Sequence, residues 1–486
     1  MHISTPLSGK LAQYLDLSSA ELKLTAQNMA NVNTPGYTRE VPIFDENVPV
    51  TLNGLSYGTG ASVINIQSQR DRVLEQSVDQ QTQAEAASAT RLAALQSLEG
   101  VFSSTTATST TTANGGISSS LSGFFTALTE LEGNPSDTSL REGVLTAASS
   151  LTQSFSGAVD ELQQQQASLD AESQSVVTRA NALTTSIAGL NQQIERLDPN
   201  TDAGTLEDQR QYDLNQLSQL VGINQITTEN NGLTITTAGG AVLVSEGKAY
   251  ALTSGPSGGV IHYYDAEGHD ITTELTSGGG QLSGYLTSRD QDIPQVESAL
   301  DALAGGLTTQ LNSIQESGST VTGASTAGIP LFIVPPSGGV PGSVAGGITV
   351  AITDPSQLAA SAAGAGSSDG SNAVLMANLQ NSAIITLNQA GSPYNVSAAT
   401  PTNFLADFVA TLGSTVSQTS TLNTAQQASL TQTQTARNSL SAVNTDDEAS
   451  TLSLLERSYE ASSKVFTILD QIFASAINLG DETTVT

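Results

Sequence analysis

The chain has 486 residues, enough for two to four domains each with its own core, and sets 46 acidic against 15 basic side chains for a net charge of −31. That excess makes nucleic acid and anionic membrane surfaces poor partners, and no apolar run approaches the length of a membrane span. Cysteine is absent, which removes disulfides, thiolate catalysis and cysteine metal sites together, while Trp is absent and Ser, Thr, Ala, Gln and Gly dominate, a composition of long polar helices with slim apolar seams.

The first residues, Met-His-Ile-Ser-Thr-Pro-Leu, lack the basic start and continuous apolar stretch of a cleaved secretory signal. Leu11, Leu15, Leu22, Ala26 and Met29 then recur at helical steps, and Leu17, Ala20 and Leu24 widen that face. The helix ends in Asn28-Met-Ala-Asn-Val-Asn-Thr-Pro-Gly-Tyr-Thr-Arg39. Pro35 cannot donate a backbone hydrogen bond and pushes Thr34 out of the helical region. Pro35-Gly36 suits a type II turn, since Gly36 accepts a positive φ at little cost, and Asn31 and Asn33 can bond the backbone groups freed there.

Residues 41–66 read as short extended pieces around Val48-Pro-Val-Thr-Leu52 and Ala61-Ser-Val-Ile-Asn-Ile66. A helical period carries 71–98, and the Ser/Thr tract over 103–116 reads as a loop. Helices follow at 117–131 and 139–197, the latter with a seam of Leu183, Ile187, Leu190, Ile194 and Leu197, and again at 206–220. From Val221-Gly222 onward the pattern turns to strands: Gly232-Leu-Thr-Ile-Thr-Thr, Ala241-Val-Leu-Val, and a hairpin pairing Val260-Ile-His-Tyr-Tyr with Asp270-Ile-Thr-Thr-Glu-Leu. One helix over 281–313 interrupts this β-rich region, and a Gly/Pro-rich β stretch spans 320–354. From Asn372 the chain reads as helical, with a long segment at 402–441. Asn444 or Thr445 caps a last helix whose first turn holds Asp446, Asp447 and Glu448, charges that suit the positive helix end. Leu452, Tyr459, Phe466 and Phe473 fall seven apart, with Leu455 and Leu469 three after their partners, and Val465, Ile472 and Leu479 add a second stripe.

The fold expected is mainly α with inserted β modules: long terminal helices forming a coiled-coil-like pair, a central helical domain and a Gly-rich β insert. Terminal segments 1–35 and 446–486 are the helical pair, 36–221 and 372–445 form the central domain, and 222–371 is the β-rich insert containing one helix at about 281–313.

The motif ending Thr-Pro-Gly-Tyr-Thr-Arg39 resembles that of the flagellar axial proteins: rod, hook and hook-associated proteins. The stretch from Leu206-Glu-Asp-Gln-Arg-Gln-Tyr-Asp-Leu to Gly222 is similar to a helix of the hook-associated protein 1 family, which joins hook to filament. Gly280-Gln-Leu-Ser-Gly-Tyr-Leu-Thr-Ser-Arg-Asp290 and Ala442-Val-Asn-Thr-Asp-Asp-Glu448 resemble two further blocks of it. Thr445 and Asp447 stand where that family usually has Leu and Glu, and Lys10 with Leu15-Asp-Leu17 reads more like a rod protein. Hook and distal rod proteins are thus the alternatives within the class. The resemblance implies export to the flagellum without a cleaved leader, and self-assembly as a ring of copies through a seam of Leu11, Leu15, Leu22, Met29, Leu452, Leu455, Tyr459, Phe466, Leu469 and Phe473. The turn motif is Asn28, Asn31, Asn33, Thr34, Pro35, Gly36 and Tyr37. Implied partners are hook protein, the next hook-associated junction protein and a cytoplasmic export chaperone acting on the C-terminal region, with neither nucleic acid nor membrane.

Chemistry finds little support. Gly-x-Ser-x-Gly occurs around Ser56, Ser257 and Ser368, but a nucleophile elbow needs a strand before and a helix after. His262, Asp265, His269 and Asp270 could hold a metal, though a solvated turn is the stronger reading. No phosphate loop, dinucleotide fingerprint or EF-hand is present, so neither cofactor nor catalysis is expected. A secreted enzyme or adhesin with activity in the β insert is the alternative of another class.

Overall fold

The computed structural model describes residues 5–52, 55–102, 116–197, 203–227, 232–257, 260–336 and 339–481. The predicted loop at 103–116 falls, apart from Gly116, outside these residues.

The first helix, α1 (Thr5–Ala30), runs into the Pro-Gly turn. Beyond it, the extended pieces join into one antiparallel unit. β1 (Glu40–Glu46) pairs with β4 (Ala61–Ser68), with a bulge at Ile43/Phe44, and a smaller hairpin of β2 (Val50–Leu52) and β3 (Leu55–Tyr57) lies between them in sequence. The last helix of the chain returns to pack against α1 and is described below. Together these elements form an arm.

The body begins with α2 (Arg72–Phe102), α3 (Ile117–Gly133), α4 (Thr138–Glu195) and α5 (Gly204–Leu220). Asp137 caps α4 by accepting from the Ser139 and Leu140 N–H groups. At 58 residues and 1.5 Å per residue, α4 is about 87 Å long, enough to serve two cores in succession. A four-stranded antiparallel sheet follows in the order β5 (Ile223–Thr227), β6 (Leu233–Thr237), β7 (Val242–Ser245), β8 (Lys248–Ala249), then a hairpin of β9 (Thr253–Ser257) and β10 (Val260–Tyr264).

Here the structure corrects the predicted hairpin. β10 pairs backwards with β9, and Asp270 makes only an isolated bridge to Tyr264. The stretch expected as the second strand instead forms α6 (Thr272–Gly278), because Asp270 draws the Thr272 N–H and hydroxyl together and starts a helical turn. The helix expected over 281–313 is likewise two: α7 (Gly280–Thr287) and α8 (Ile293–Glu316), joined by a π-helical turn at Ser288–Asp292. Pro294 lies in the first turn of α8, where a missing N–H costs least.

The Gly/Pro-rich stretch is also less sheet-like than its composition suggests. β11 (Gly318–Ser319), β12 (Phe332–Ile333), β13 (Thr349–Val350) and β14 (Ser361–Ala362) have two residues each, and α9 (Ser343–Gly347) lies among them. Prolines withhold ladder donors, and most of the backbone is in turns. After α10 (Ser371–Asn378) the chain forms a hairpin of β15 (Ile385–Leu387) and β16 (Val396–Ala399) rather than continuing as helix, since Pro393 and the Gly391 turn break the period. Then come α11 (Pro401–Ser441), capped by Thr400, and α12 (Thr445–Asp481).

Both apolar cores hang on α4. Along its first half, Val144, Leu151, Phe155 and Leu162 pack with α3 (Phe124, Leu128), α8 (Leu300, Leu303, Leu307) and the start of α11 (Phe404, Phe408). Along its second half, Val176, Ala180 and Ile187 pack with α5, α7 and the four-stranded sheet through Leu214, Leu217, Leu282, Leu286, Ile235 and Val244. The boundary is polar. Arg289, 1% exposed, donates to Asp170 of α4 and to the Ile261 carbonyl at 2.7 Å each, and is held by Asp290. This explains the Gly280–Asp290 block: it places Arg289 from the π turn between two cores.

A second buried polar site lies between α2, α5 and β5, where Asp79 accepts from the amides of Gln211, Asn215 and Gln225 at 2.9, 3.2 and 2.7 Å. Burial pushes its pKa up to about 6, and burial with Asp301 nearby pushes Glu297 up to about 7. A raised carboxyl pKa means that the folded chain keeps a proton the unfolded chain has already released. Stability is therefore fully present below the unfolded values and is lost as pH rises through 6 and 7. For Asp79 the loss between pH 4 and pH 8 is roughly 3 kcal/mol. The melting temperature should be higher at pH 5 than at pH 8, and Asp79→Asn should shrink the difference. A calorimetric melting temperature that climbs from pH 5 to pH 8 would contradict this account.

Candidate functional site

The turn motif lies where the arm meets the body. Asn28, in the last turn of α1, is buried and clamps the chain as it returns. Its Nδ2 donates to the Glu40 carbonyl at 2.9 Å, while its Oδ1 accepts from the Glu40 N–H at 3.0 Å and the Tyr37 hydroxyl at 2.9 Å. Three bonds from one carboxamide thus fix the start of β1 against α1. Asn31 Nδ2 donates back to the Gln27 carbonyl and its Oδ1 accepts from the Thr34 hydroxyl, closing the helix end. Asn33, Thr34 and Pro35 are exposed. The Tyr37 N–H bonds the Thr34 carbonyl at 3.2 Å, and Gly36 has φ +81°, the left-handed value of a type II third position.

Gly36 is also pressed against α5. A Cβ there would lie 3.2 Å from Tyr212 Cβ and 3.3 Å from the Asp208 carbonyl oxygen. Two residues on, the Thr38 N–H donates to Asp208 Oδ2 at 3.0 Å, and Arg70, from the link after β4, pairs with the same carboxylate. Arg70 also approaches Glu207 at 3.6 Å, and Arg72 and Arg210 approach Glu207 from either side. The segment Leu206–Arg210 is therefore the seat of the turn.

The other end of the chain closes the same joint. The Arg39 N–H donates to the Ser441 carbonyl at the end of α11, and Arg39 Nε pairs with Glu448 in the first turn of α12 at 2.6 Å. Asn444 accepts from the Asp446 N–H and so is the cap of α12. Arg437 of α11 approaches Glu75 of α2 at 3.7 Å. Burial raises the pKa of Asp208 and Glu75 against the opposing pull of Thr38 and Arg70 on the first and Arg437 on the second. Burial, with Glu40 and Asp208 adding to it, raises Tyr37, and burial lowers Arg210 to about 10.

Five of the chain's 15 cations thus meet at one joint: Arg39, Arg70, Arg72, Arg210 and Arg437. Sequence reading named the turn but missed Thr38, Arg70, Asp208, Glu75 and Glu448 as its partners. The available signal was scarcity, since in so acidic a chain Arg39, Arg70 and Arg72 fall close together.

The helical seam residues divide between two faces. On α12, Leu452, Leu455, Phe466, Leu469 and Phe473 are half-buried on the side packed against α1, as are Leu11, Leu15, Leu22 and Met29 on α1. Tyr459 stands at the rim, 38% exposed, and Ser458 takes the inner place by bonding Tyr14 at 2.6 Å. Leu24, from the widening stripe, is the deepest apolar residue of α1. Of the second α12 stripe, Val465 and Ile472 are exposed, and Leu479 lies outside the residues whose side chains are described.

The chemical candidates separate. His262 Nδ1 bonds Asp270 at 2.6 Å and His269 Nδ1 bonds Asp265 at 3.0 Å, as two pairs rather than one ligand set. The potential ligand atoms of Asp265, Glu267 and His269 lie within 4.8 Å of one another on an exposed turn. Ser56 is within β3, Ser257 ends β9, and Ser368 stands in a turn between β14 and α10; among the described residues none of them bonds a histidine. No helix among the described residues is long and apolar enough to cross a membrane.

Residues 95–332 match the model of the flagellar hook-associated protein FlgK helical domain, and residues 436–479 match the C-terminal model of the flagellar basal body rod FlgEFG proteins. The chain is 25% identical to flagellar hook-associated protein 1 of Bacillus subtilis over 504 aligned positions, covering 96% of each. It belongs to the FlgK family. Against flagellar hook-associated protein 1 of Salmonella typhimurium the match is again 25% identical, over 60% of this chain and 53% of that protein. The flagellar hook junction protein FlgK of Burkholderia pseudomallei shares the fold with a TM-score of 0.64 at 17% identity, over 75% of this chain and all of that one. The FlgK-type helical match covers α3 to α8 and so much of both cores built on α4, and the rod-type match covers the end of α11 and most of α12. The joint described above lies between the two.

Gly36→Val should cost about 1–3 kcal/mol, because a β-branched residue is forced to positive φ and against Tyr212. The check is hydrogen exchange at the Thr38 amide. Its protection by Asp208 should fall sharply in the variant, and unchanged protection would show that the turn tolerates a side chain.

Proposed function

We propose that the chain is a structural subunit of the bacterial flagellum, self-assembling through its arm and joining hook to filament. Membership of a family of structural flagellar proteins supports an assembling rather than a catalytic role. The finer picture is a ring of copies with hook protein on one side and the next hook-associated protein on the other. A cytoplasmic chaperone holds the C-terminal helix before export, which proceeds without a cleaved leader to the cell exterior.

One observation carries the assembly reading. With its inner face turned to α1, α12 still presents Leu454, Val465, Ile468 and Ile472 outward, 48–69% exposed. These residues follow steps of eleven, three and four and keep to one stripe, the pattern of a helix that meets a further helix. The β1–β4 unit adds Phe44, Val48, Val50, Leu55, Tyr57, Ile64 and Ile66, all exposed. A monomer seldom leaves that much apolar surface in water without a partner for it.

The two faces of α12 should separate in a mutational test. Ile468→Asp adds a carboxylate to a side chain that is 55% exposed, so the isolated chain should melt as wild type. In a packed assembly the same carboxylate is desolvated without a partner, and filaments should fail to attach at the hook tip. Phe466→Asp, on the half-buried face, should instead loosen the α1–α12 pair of the isolated chain, read as faster hydrogen exchange in both helices. Electron microscopy of flagella carrying the labelled protein gives the location. Label along the whole filament, or normal motility with Ile468→Asp, would overturn the reading.

A further inference from the structure

The arm and the body have no shared apolar core. Among the described residues, neither core cluster contains a side chain from α1, the β1–β4 unit or α12, and no element of the arm packs lengthwise on an element of the body. The covalent joints are two short non-helical links, 69–71 before α2 and 442–444 between α11 and α12. What bridges them is polar: Thr38 and Arg70 on Asp208 of α5, and the Arg39 N–H on the Ser441 carbonyl at the end of α11. Linkers of this length absorb rotation, whereas directional bonds either form at one angle or do not.

The fit at this joint is incomplete. Arg70 Nε, Arg437 Nε and Ser441 Oγ are buried without a hydrogen-bond partner, half of all such side-chain atoms among the described residues. Unsatisfied buried polar atoms raise the free energy of the seated state and so narrow the gap to a different seating. The two apolar cores, by contrast, lose nothing when the arm turns.

We propose that the joint is a latched hinge: residues 69–71 and 442–444 form the pivot, and the Asp208 carboxylate, holding Thr38 and Arg70, is the latch that selects one angle of the arm. The Arg39 N–H on the Ser441 carbonyl is the second catch, while Arg39 with Glu448 ties β1 to α12 within the arm. Releasing the latch lets the arm reorient as one piece, because Asn28 still clamps α1 to β1 and the α1–α12 faces stay packed. A subunit so built can present the same terminal helices at more than one angle without refolding. The device is a property of the single chain, so its test is independent of where the chain works in the flagellum.

The absence of cysteine allows spin labels to be placed without background. Ala20→Cys on α1 and Gln163→Cys on α4, both exposed, report the angle of the arm by double electron–electron resonance, while Ala20→Cys with Thr451→Cys on α12 reports the arm's integrity. The latched chain should give a single narrow arm-to-body distance. Asp208→Ala should lose that single peak and spread or shift it, with the distance inside the arm unchanged. Arg70→Gln, which removes the guanidinium but leaves the Thr38 N–H on Asp208, should broaden it less. If Asp208→Ala melts the body, Arg70→Gln alone decides, by broadening or not. A narrow, unshifted arm-to-body distance in the variants would overturn the proposal by showing that the links alone fix the angle. A broad distribution in the unmodified chain would overturn it equally, since the latch would then hold nothing.

Discussion

The carboxylate of Asp208 accepts the Thr38 N–H on one oxygen and the Arg70 guanidinium on the other, and the geometry of both chain ends follows from that seat. Thr38 can reach it because Gly36 turns the backbone through positive φ with no side chain to strike Tyr212. Arg70 can reach it because β4 runs antiparallel to β1 and returns the chain to where β1 began, with Glu40 opposite Ser68. The Glu40 end of the hairpin is in turn held by Asn28. Removing one partner from a buried ion pair costs about 3–5 kcal/mol, because the other charge is left uncompensated. In this chain such pairs collect where the arm is attached and, with Arg289 and Asp170, at the boundary between the two cores.

The body solves a different problem. A chain poor in aromatic residues must bury aliphatic area over length rather than depth, and α4 supplies the length. Its two halves serve two separate apolar clusters, and the change-over is marked by charge, Arg289 with Asp170, instead of by a break in the helix. The π turn at Ser288–Asp292 is what turns Arg289 inward at that point, since one extra residue in the turn rotates the face presented to α4. Glycine gives close approach there as well: at Gly284 a Cβ would stand 2.6 Å from the Ala87 carbonyl oxygen of α2.

This division of labour suits a subunit of a polymer. The two cores close without a side chain from the arm among the described residues, while the arm leaves apolar stripes exposed and is tied down by polar contacts. Polar contacts of this kind are demanding in geometry and modest in net energy, the reverse of apolar burial. In a FlgK-family protein, whose relatives are hook-associated proteins, such an arrangement separates the stability of the subunit from the geometry of its assembly.

Much of this was legible in the sequence, for local reasons. The helices over 71–98, 117–131, 139–197 and 206–220 could be read because a 3.6-residue period needs no knowledge of the rest of the chain, and the Pro35-Gly36 turn because its φ preferences belong to those residues alone. The blocks at 28–39, 206–222 and 280–290 pointed to the family, though not to what they touch. Pairing was decided elsewhere. Whether Val260–Tyr264 joins the strand before it or after it depends on which partner leaves Tyr263 free to reach Ser173 on α4, a residue 90 positions away. Phe466 and Ile468 are both apolar in a helix of clear seven-residue period, yet only the placement of α1 determines which is covered and which is left to water. The meeting of Thr38 with Asp208, 170 residues apart, had no local signature at all. Periodicity and turn chemistry are properties of neighbouring residues, so the sequence alone determined most of the helices and the turn; burial and charge pairing are properties of the packed chain, so only the tertiary structure decided the strand pairing and the joint.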